Sequence, residues 1–350
     1  MLRASWWKIL AVTLLVYTFI AGMLIPLKSG ITNATPSTAE MGQALTLTVT
    51  GYNIDFAAAP TSLRAWLKLS EDHLLAATRV EALSDQQVRV AFDLPAYLPP
   101  GPDNQAATLI VAGEGFGNAI YPDAVFLRQA QANATAGTTA WTTDRIDELP
   151  QAAGISFPFR NILGETIRNT YFHVSLWLSM MIIFIGSVWA AVKYLRTQDI
   201  RYDYQSQALT GAGFFFGILG LITGGIWAQY TWGTFWSFDI KQNMTAVALL
   251  IYGAYFILRG SLDDAEKRAR VASAYNIFAF VALIPLIYVI PRMVDSLHPG
   301  SGGNPALGGE DLDSTMRMIF YPAIIGWALF GVWMASLQYR ARLLHERLME

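Results

Sequence analysis

The chain has 350 residues, 53% hydrophobic and only 14% charged, with a formal net charge of -2. Soluble domains carry roughly 25% charge, so the deficit points to a membrane protein, while the near-neutral balance argues against a nucleic-acid partner, which leaves a basic footprint. There is no cysteine, which excludes disulfides, thiolate metal sites, iron–sulfur clusters and cysteine nucleophiles.

Crossing ~30 Å of hydrocarbon at ~1.5 Å per residue takes roughly 20 apolar residues. Six stretches qualify: residues 6–27, 172–192, 209–230, 243–258, 271–290 and 318–337. The fourth is short unless its helix starts near Asp239. The first follows Arg3 and Lys8, as a signal peptide would. Its apolar run is long for that role, however, and no small-x-small cleavage site follows Gly22 or Pro26, so it reads as a retained anchor.

Between the first two spans lies a stretch of different character. Residues 44–52 (ALTLTVTGY) alternate apolar and polar, as a half-buried strand does, and 87–94 (QVRVAFDL) and 108–112 (TLIVA) continue the pattern. Pro60, Pro95, the Pro99-Pro100-Gly101-Pro102 cluster and the glycines between 113 and 117 punctuate it. Short strands at this spacing indicate a small sandwich, loosely immunoglobulin-like. The small, polar run 130–140 (AQANATAGTTA) reads as a linker. The fold class is therefore mainly α: a polytopic membrane protein with six transmembrane helices and an all-β, Ig-like domain inserted after the first. The expected division is 1–27 anchor, 28–140 sandwich, 141–171 linker and outer surface segment, 172–340 five-helix membrane domain, and 341–350 tail.

Lys193, Arg196 and Arg201 fall between the second and third spans, and Arg259, Lys267, Arg268 and Arg270 between the fourth and fifth. Arg340, Arg342 and Arg347 follow the sixth. With Arg3 and Lys8 they share one side, which the positive-inside rule makes cytoplasmic. Both termini are then cytoplasmic. The β-domain, the loop around Trp232 and the loop 291–317 face outward.

This parity sorts the four histidines. His345 falls in the tail and His73 in the β-domain beside Asp72, where solvation or a surface role suffices. His173, at the outer start of the second span, and His298, beyond the fifth, share a face with the tryptophan-rich loop. Two imidazoles on facing elements suit axial ligation of haem iron; each also suits a helix end at the interface. The loop reads Trp232-Gly-Thr-Phe-Trp-Ser-Phe-Asp239. Interfacial belts collect tryptophan, but this density is unusual. Trp232 and Trp236, four apart, are expected to share a face on a helical turn. Gly233 would let a flat ligand approach the backbone. Lys241, Arg168, Arg292 and Arg317 are candidates to meet porphyrin propionates.

WGTFWSFD resembles the WGxxWxWD signature of the haem-handling family that includes the cytochrome c maturation C proteins (CcmC) and the cytochrome c synthases. The resemblance runs from about residue 169 to the C-terminus and includes one histidine before the second span and one after the fifth. It implies that Trp232, Gly233, Trp236, Phe238, Asp239 and Lys241 line a haem b site, with His173 and His298 as axial ligands. It further implies a bacterial inner-membrane protein that hands haem to a periplasmic, CcmE-like chaperone alongside CcmA/CcmB-like ABC transporter subunits in membrane lipid. Such a protein is a handling platform more than a classical enzyme. Phe238 stands where the family has a third tryptophan and Ile240 where proline is common, so an indole N–H is lost. The alternative within the family is a synthase of the CcsA/ResC kind that attaches haem to apocytochrome c, but those proteins carry further histidines in extra spans. A proton-coupled transporter needs ionisable groups at membrane depth, and residues 209–230, 245–258 and 271–290 carry no carboxylate, cation or histidine.

Overall fold

A computed structural model describes residues 5–129, 141, 150, 154–161, 163–298 and 312–349. The expected linker at 130–140 and positions 299–311 of the last outer loop lie outside these residues. The chain forms two compact units, one of Pro26–Gly164 and one of Met1–Ile25 with Glu165–Glu350.

Among its described residues the first unit holds nine strands: β1 (Gly30–Thr35), β2 (Thr38–Glu40), β3 (Ala44–Tyr52), β4 (Arg64–Ser70), β5 (His73–Ala76), β6 (Arg79–Ala82), β7 (Gln87–Asp93), β8 (Asn104–Gly113) and β9 (Gly117–Arg128). They make a four-stranded sheet of order β1-β3-β7-β6 and a five-stranded sheet of order β2-β9-β8-β4-β5. All pairings are antiparallel except β2 with β9. The alternation legible in the sequence is the alternation of burial. Leu45, Leu47 and Val49 of β3 and Val88, Val90 and Phe92 of β7 share one core with Leu67, Leu109, Val111 and Val125 from the opposite sheet. This is the sandwich arrangement, in which each inner face supplies every second residue. The unit continues past residue 140. Trp141 is buried in the same core and donates its indole N–H to the Tyr97 carbonyl at 3.1 Å. Phe157 is buried where its backbone bridges Leu27, and Phe159 stacks on Tyr52. His73 keeps to the surface, its Nδ1 2.7 Å from the Ser70 hydroxyl.

The second unit contains α1 (Trp6–Leu24), α2 (His173–Thr197), α3 (Ile200–Trp232), α4 (Ile240–Gly260), α5 (Ala265–Ile284) and α6 (Ser314–Met349). Among the described residues six segments are long and apolar enough to cross a membrane, with helical continuations before α2 and after α5. Aspartates start four of the helices: Asp199, Asp239, Asp264 and Asp313 accept the backbone N–H of Arg201, Lys241, Lys267 and Met316 respectively. Such caps satisfy donors that a helix start leaves open. The Asp239 cap gives the fourth span the extra turn that its apolar run lacked. A π-helical turn, Pro285–Val289, and a 3-10 turn, Ile290–Arg292, end the fifth span and lead toward His298.

α2 and α3 form the most extensive helix pair, flanked by α5 and α6, while α1 packs on α6. Lipid tails are as apolar as leucine, so polar side chains help to hold such bundles together. The buried Asn276 of α5 donates to the hydroxyls of Ser187 and Ser206, each at 3.1 Å, which joins three helices. Nearer the start of α3, Arg259 grips Asp203 with both guanidinium nitrogens, Nη1 at 2.7 Å from Oδ1, and the two side chains are only 5% and 3% exposed. Arg259→Leu strands a buried carboxylate and is expected to cost about 3–5 kcal/mol of stability, while the double replacement with Asp203→Leu recovers most of it. Thermal unfolding in detergent checks this; equal losses in the single and double variants would contradict it.

Candidate haem site

α3 stops at Trp232 because Gly233 takes a left-handed conformation (φ +81°). Open space surrounds the position of its missing Cβ, so backbone conformation and not crowding calls for glycine here. This corrects one expectation. Trp236 lies beyond the cap, so it does not share a helical face with Trp232. The loop instead folds across the bundle end. Phe235 turns back onto Gly225 of α3, where any Cβ would come within 2.5 Å of its ring. Gln242 of α4, which is buried, ties the loop down. It accepts from the Ser237 N–H at 2.9 Å and hydroxyl at 3.0 Å, and donates to the Phe235 carbonyl at 3.3 Å. Phe238 has φ +57° and is 77% exposed.

Asp239 is the hub of the site. As the cap of α4, its Oδ1 accepts the Lys241 N–H at 2.8 Å, and the same oxygen accepts His298 Nδ1–H at 2.8 Å. Its Oδ2 accepts the Ser296 hydroxyl at 2.9 Å and the Leu297 N–H at 2.8 Å. Burial alone would raise its pKa. The hydrogen bonds from His298, Leu297 and Lys241 outweigh burial and hold the carboxyl well below the usual carboxylate range. An ionised carboxylate accepts only, so His298 donates from Nδ1. The ring is held from the other side by tryptophans. Trp232 meets it edge to face at 4.8 Å between centroids, Trp227 lies at 5.8 Å, and the two indoles meet each other at 4.9 Å.

His173, the first residue of α2, packs on the same α3 face one turn further in. A Cβ on Gly224 would lie 2.8 Å from its ring, so glycine is what admits the imidazole between the helices. Its Nδ1 is 3.1 Å from the Thr223 hydroxyl. That hydroxyl spends its one proton inside α3, on the carbonyls of Leu219 at 2.9 Å and Gly220 at 3.1 Å. Toward His173 it therefore accepts, and this imidazole too donates from Nδ1. Metal-binding imidazoles are prepared in this way, with one nitrogen fixed by a partner and the other left basic. The donor set fits haem iron.

The structure thus joins His298, Asp239 and Trp232 directly and sets His173 along the same helix face. Trp236 and Phe238 belong to the loop, but neither ring meets a histidine among the described residues. Lys241 places its ammonium in the electrostatic surroundings of Asp239 and Arg292. Arg168 is directed elsewhere than expected, because its guanidinium donates to the last carbonyls of α1, Gly22 at 2.8 Å and Ile25 at 2.7 Å. Thr223, Gly224 and Ser296 went unmarked in the sequence, whereas Trp227 opened the aromatic loop and Gln242 ended the motif's tail, Asp239-Ile-Lys-Gln242.

A family model described as heme exporter protein C (CcmC) matches residues 152–350. The heme exporter protein C of Bradyrhizobium diazoefficiens is 27% identical over 186 residues, 53% of this chain and 69% of that protein. A putative cytochrome c biosynthesis ccmC-like mitochondrial protein of Marchantia polymorpha is 34% identical over 139 residues, 39% of this chain and 58% of its own length. The heme exporter protein C of Escherichia coli K12 is 27% identical over 173 residues, 49% of this chain and 66% of its own. The matched stretch takes in less than two thirds of the Marchantia and E. coli proteins, and the β-unit lies almost wholly outside the family match.

Proposed function

The chain belongs to the heme exporter protein C (CcmC) family, and we propose that it is a haem-handling membrane protein of cytochrome c biogenesis that holds haem b at the outer membrane face. Haem is its cargo. The observation that carries this reading is the pair of imidazoles held through Nδ1 by Asp239 and Thr223 beside the tryptophan-rich loop.

In this reading His173 and His298 bind the iron from opposite sides. Trp232, Trp236 and Phe238 shelter the porphyrin, and Gly233 keeps the loop turned over it. Lys241 and Arg292 offer cations to the propionates, a pairing that charge-assisted hydrogen bonds favour. The protein sits in the bacterial inner membrane with cytoplasmic termini and a periplasmic β-unit. It passes haem to a CcmE-like periplasmic chaperone and works beside CcmA/CcmB-like ABC subunits. Its own side chains supply orientation and electrostatics; no nucleophile is required of them.

Delivery is testable with purified components. Mixing the haem-loaded protein with an apo CcmE-like chaperone and then separating the two should move Soret absorbance to the chaperone fraction. Haem that stays wholly with the membrane protein under those conditions would contradict delivery.

A further inference from the structure

The end of the bundle opposite the tryptophan loop holds a cleft of about 480 Å³ that the haem site does not use. α3 packs against both α4 and α6 there, whereas α4 and α6 do not form a packed pair. The cleft lies over α3 between them. Its floor is small, made by Ala208 and Gly211, and Phe256 of α4 provides an apolar wall. Its rim is polar and carries Arg342 of α6.

Arg342 is held in place. Its Nη1 donates to Gln207 Oε1 at 2.6 Å, and its guanidinium lies 5.1 Å from the Tyr204 ring centroid. No carboxylate pairs with it among the ion pairs of the described residues. Arg259, Arg268 and Asp203 make up its electrostatic surroundings, and Asp203 is already committed to Arg259. Glu346, also on the rim, accepts the Tyr204 hydroxyl. Arg342 is thus held by a neutral amide and an aromatic ring, while Glu346 bonds Tyr204 on the same rim. An apolar slot crowned by a fixed, uncompensated cation at the end of a transmembrane bundle has the polarity of a phosphate-bearing amphiphile, and basic pockets between such helices recognise anionic head groups.

We propose that this cleft binds an anionic phospholipid, its phosphodiester on Arg342 and an acyl chain over Gly211 and Ala208 against Phe256. The site is independent of the haem reading. One charge-assisted contact is worth roughly a factor of ten in affinity.

Native mass spectrometry of the delipidated full chain in mild detergent, titrated with phosphatidylglycerol, phosphatidylcholine or inorganic phosphate, tests it. The wild type should retain one phosphatidylglycerol in preference to phosphatidylcholine, and Arg342→Gln should bind it roughly tenfold more weakly. Gly211→Leu fills the floor, where a Cβ meets only the Gln338 amide oxygen at 3.3 Å, and should weaken lipid binding while keeping the arginine. Circular dichroism establishes that both variants fold. Equal retention by wild type and Arg342→Gln, or no preference for the anionic lipid, would overturn the proposal. Inorganic phosphate competing as well as the lipid, with Gly211→Leu without effect, would assign the cation to free phosphate and overturn it equally.

Discussion

Replacing His298 by alanine is expected to lower haem affinity by more than roughly 100-fold, beyond the 10–100-fold typical of residues that only support a metal ligand. Its Nε2 is a first contact to iron in this account, and among the described residues the Trp227 and Trp232 rings around it offer no nitrogen lone pair in its place. His173→Ala should fall in the same range. Gly224 leaves room there for an imidazole, so imidazole added from solution should restore part of the binding. Haem titration into the apo proteins, followed at the Soret band, measures both. Unchanged affinity in both variants would remove the ligand assignment.

Asp239→Asn is the second large effect, expected at about 10–100-fold in haem affinity. The carboxylate accepts four hydrogen bonds, two on each oxygen. An amide offers one oxygen and puts two N–H donors where the other oxygen was. Whichever way it turns, two donors lose their acceptor and face an N–H instead. Either Ser296 and Leu297 are released, which frees the segment that carries His298, or His298 itself loses the partner that keeps its proton on Nδ1. The substitution conserves shape, so the overall fold should survive, with a near-wild-type far-ultraviolet circular dichroism spectrum. Retention of wild-type affinity in Asp239→Asn would show that the carboxylate only caps α4.

Much of the fold was legible in the sequence because membrane spans and half-buried strands impose strict periods. The expected strand at residues 44–52 is β3 itself, and 87–94 differs from β7 by one residue. Helix ends were harder. α3 begins at Ile200 and α6 reaches Met349, well outside the apolar windows at 209–230 and 318–337, because polar turns extend a helix past the hydrocarbon without adding hydropathy. Asp199 as a cap and the arginines of α6 belong to those turns. The extent of the β-unit was also hidden: Trp141 is a single apolar residue in a stretch without period, the alternation Ile155-Phe157-Phe159 is too short to mark a strand, and only tertiary contacts bring them to the unit.

The two histidines could be placed on one face by counting spans, and the aromatic loop with them. What could not be read was how the site is wired. Asp239 and His298 are 59 residues apart, and an aspartate before an apolar helix reads first as a cap. It is a cap, and its remaining lone pairs do the other work. Thr223 looks like any small residue in a glycine-rich span. The Trp232–Trp236 spacing misled, because Gly233 breaks the helix between them.

Electron paramagnetic resonance of the ferric, haem-loaded protein tests the central claim most directly. Two neutral imidazoles bound through Nε2 predict a low-spin signal in the wild type and its replacement by a high-spin signal, or loss of haem, in both His173→Ala and His298→Ala. A low-spin signal that persists unchanged in either variant would contradict the account.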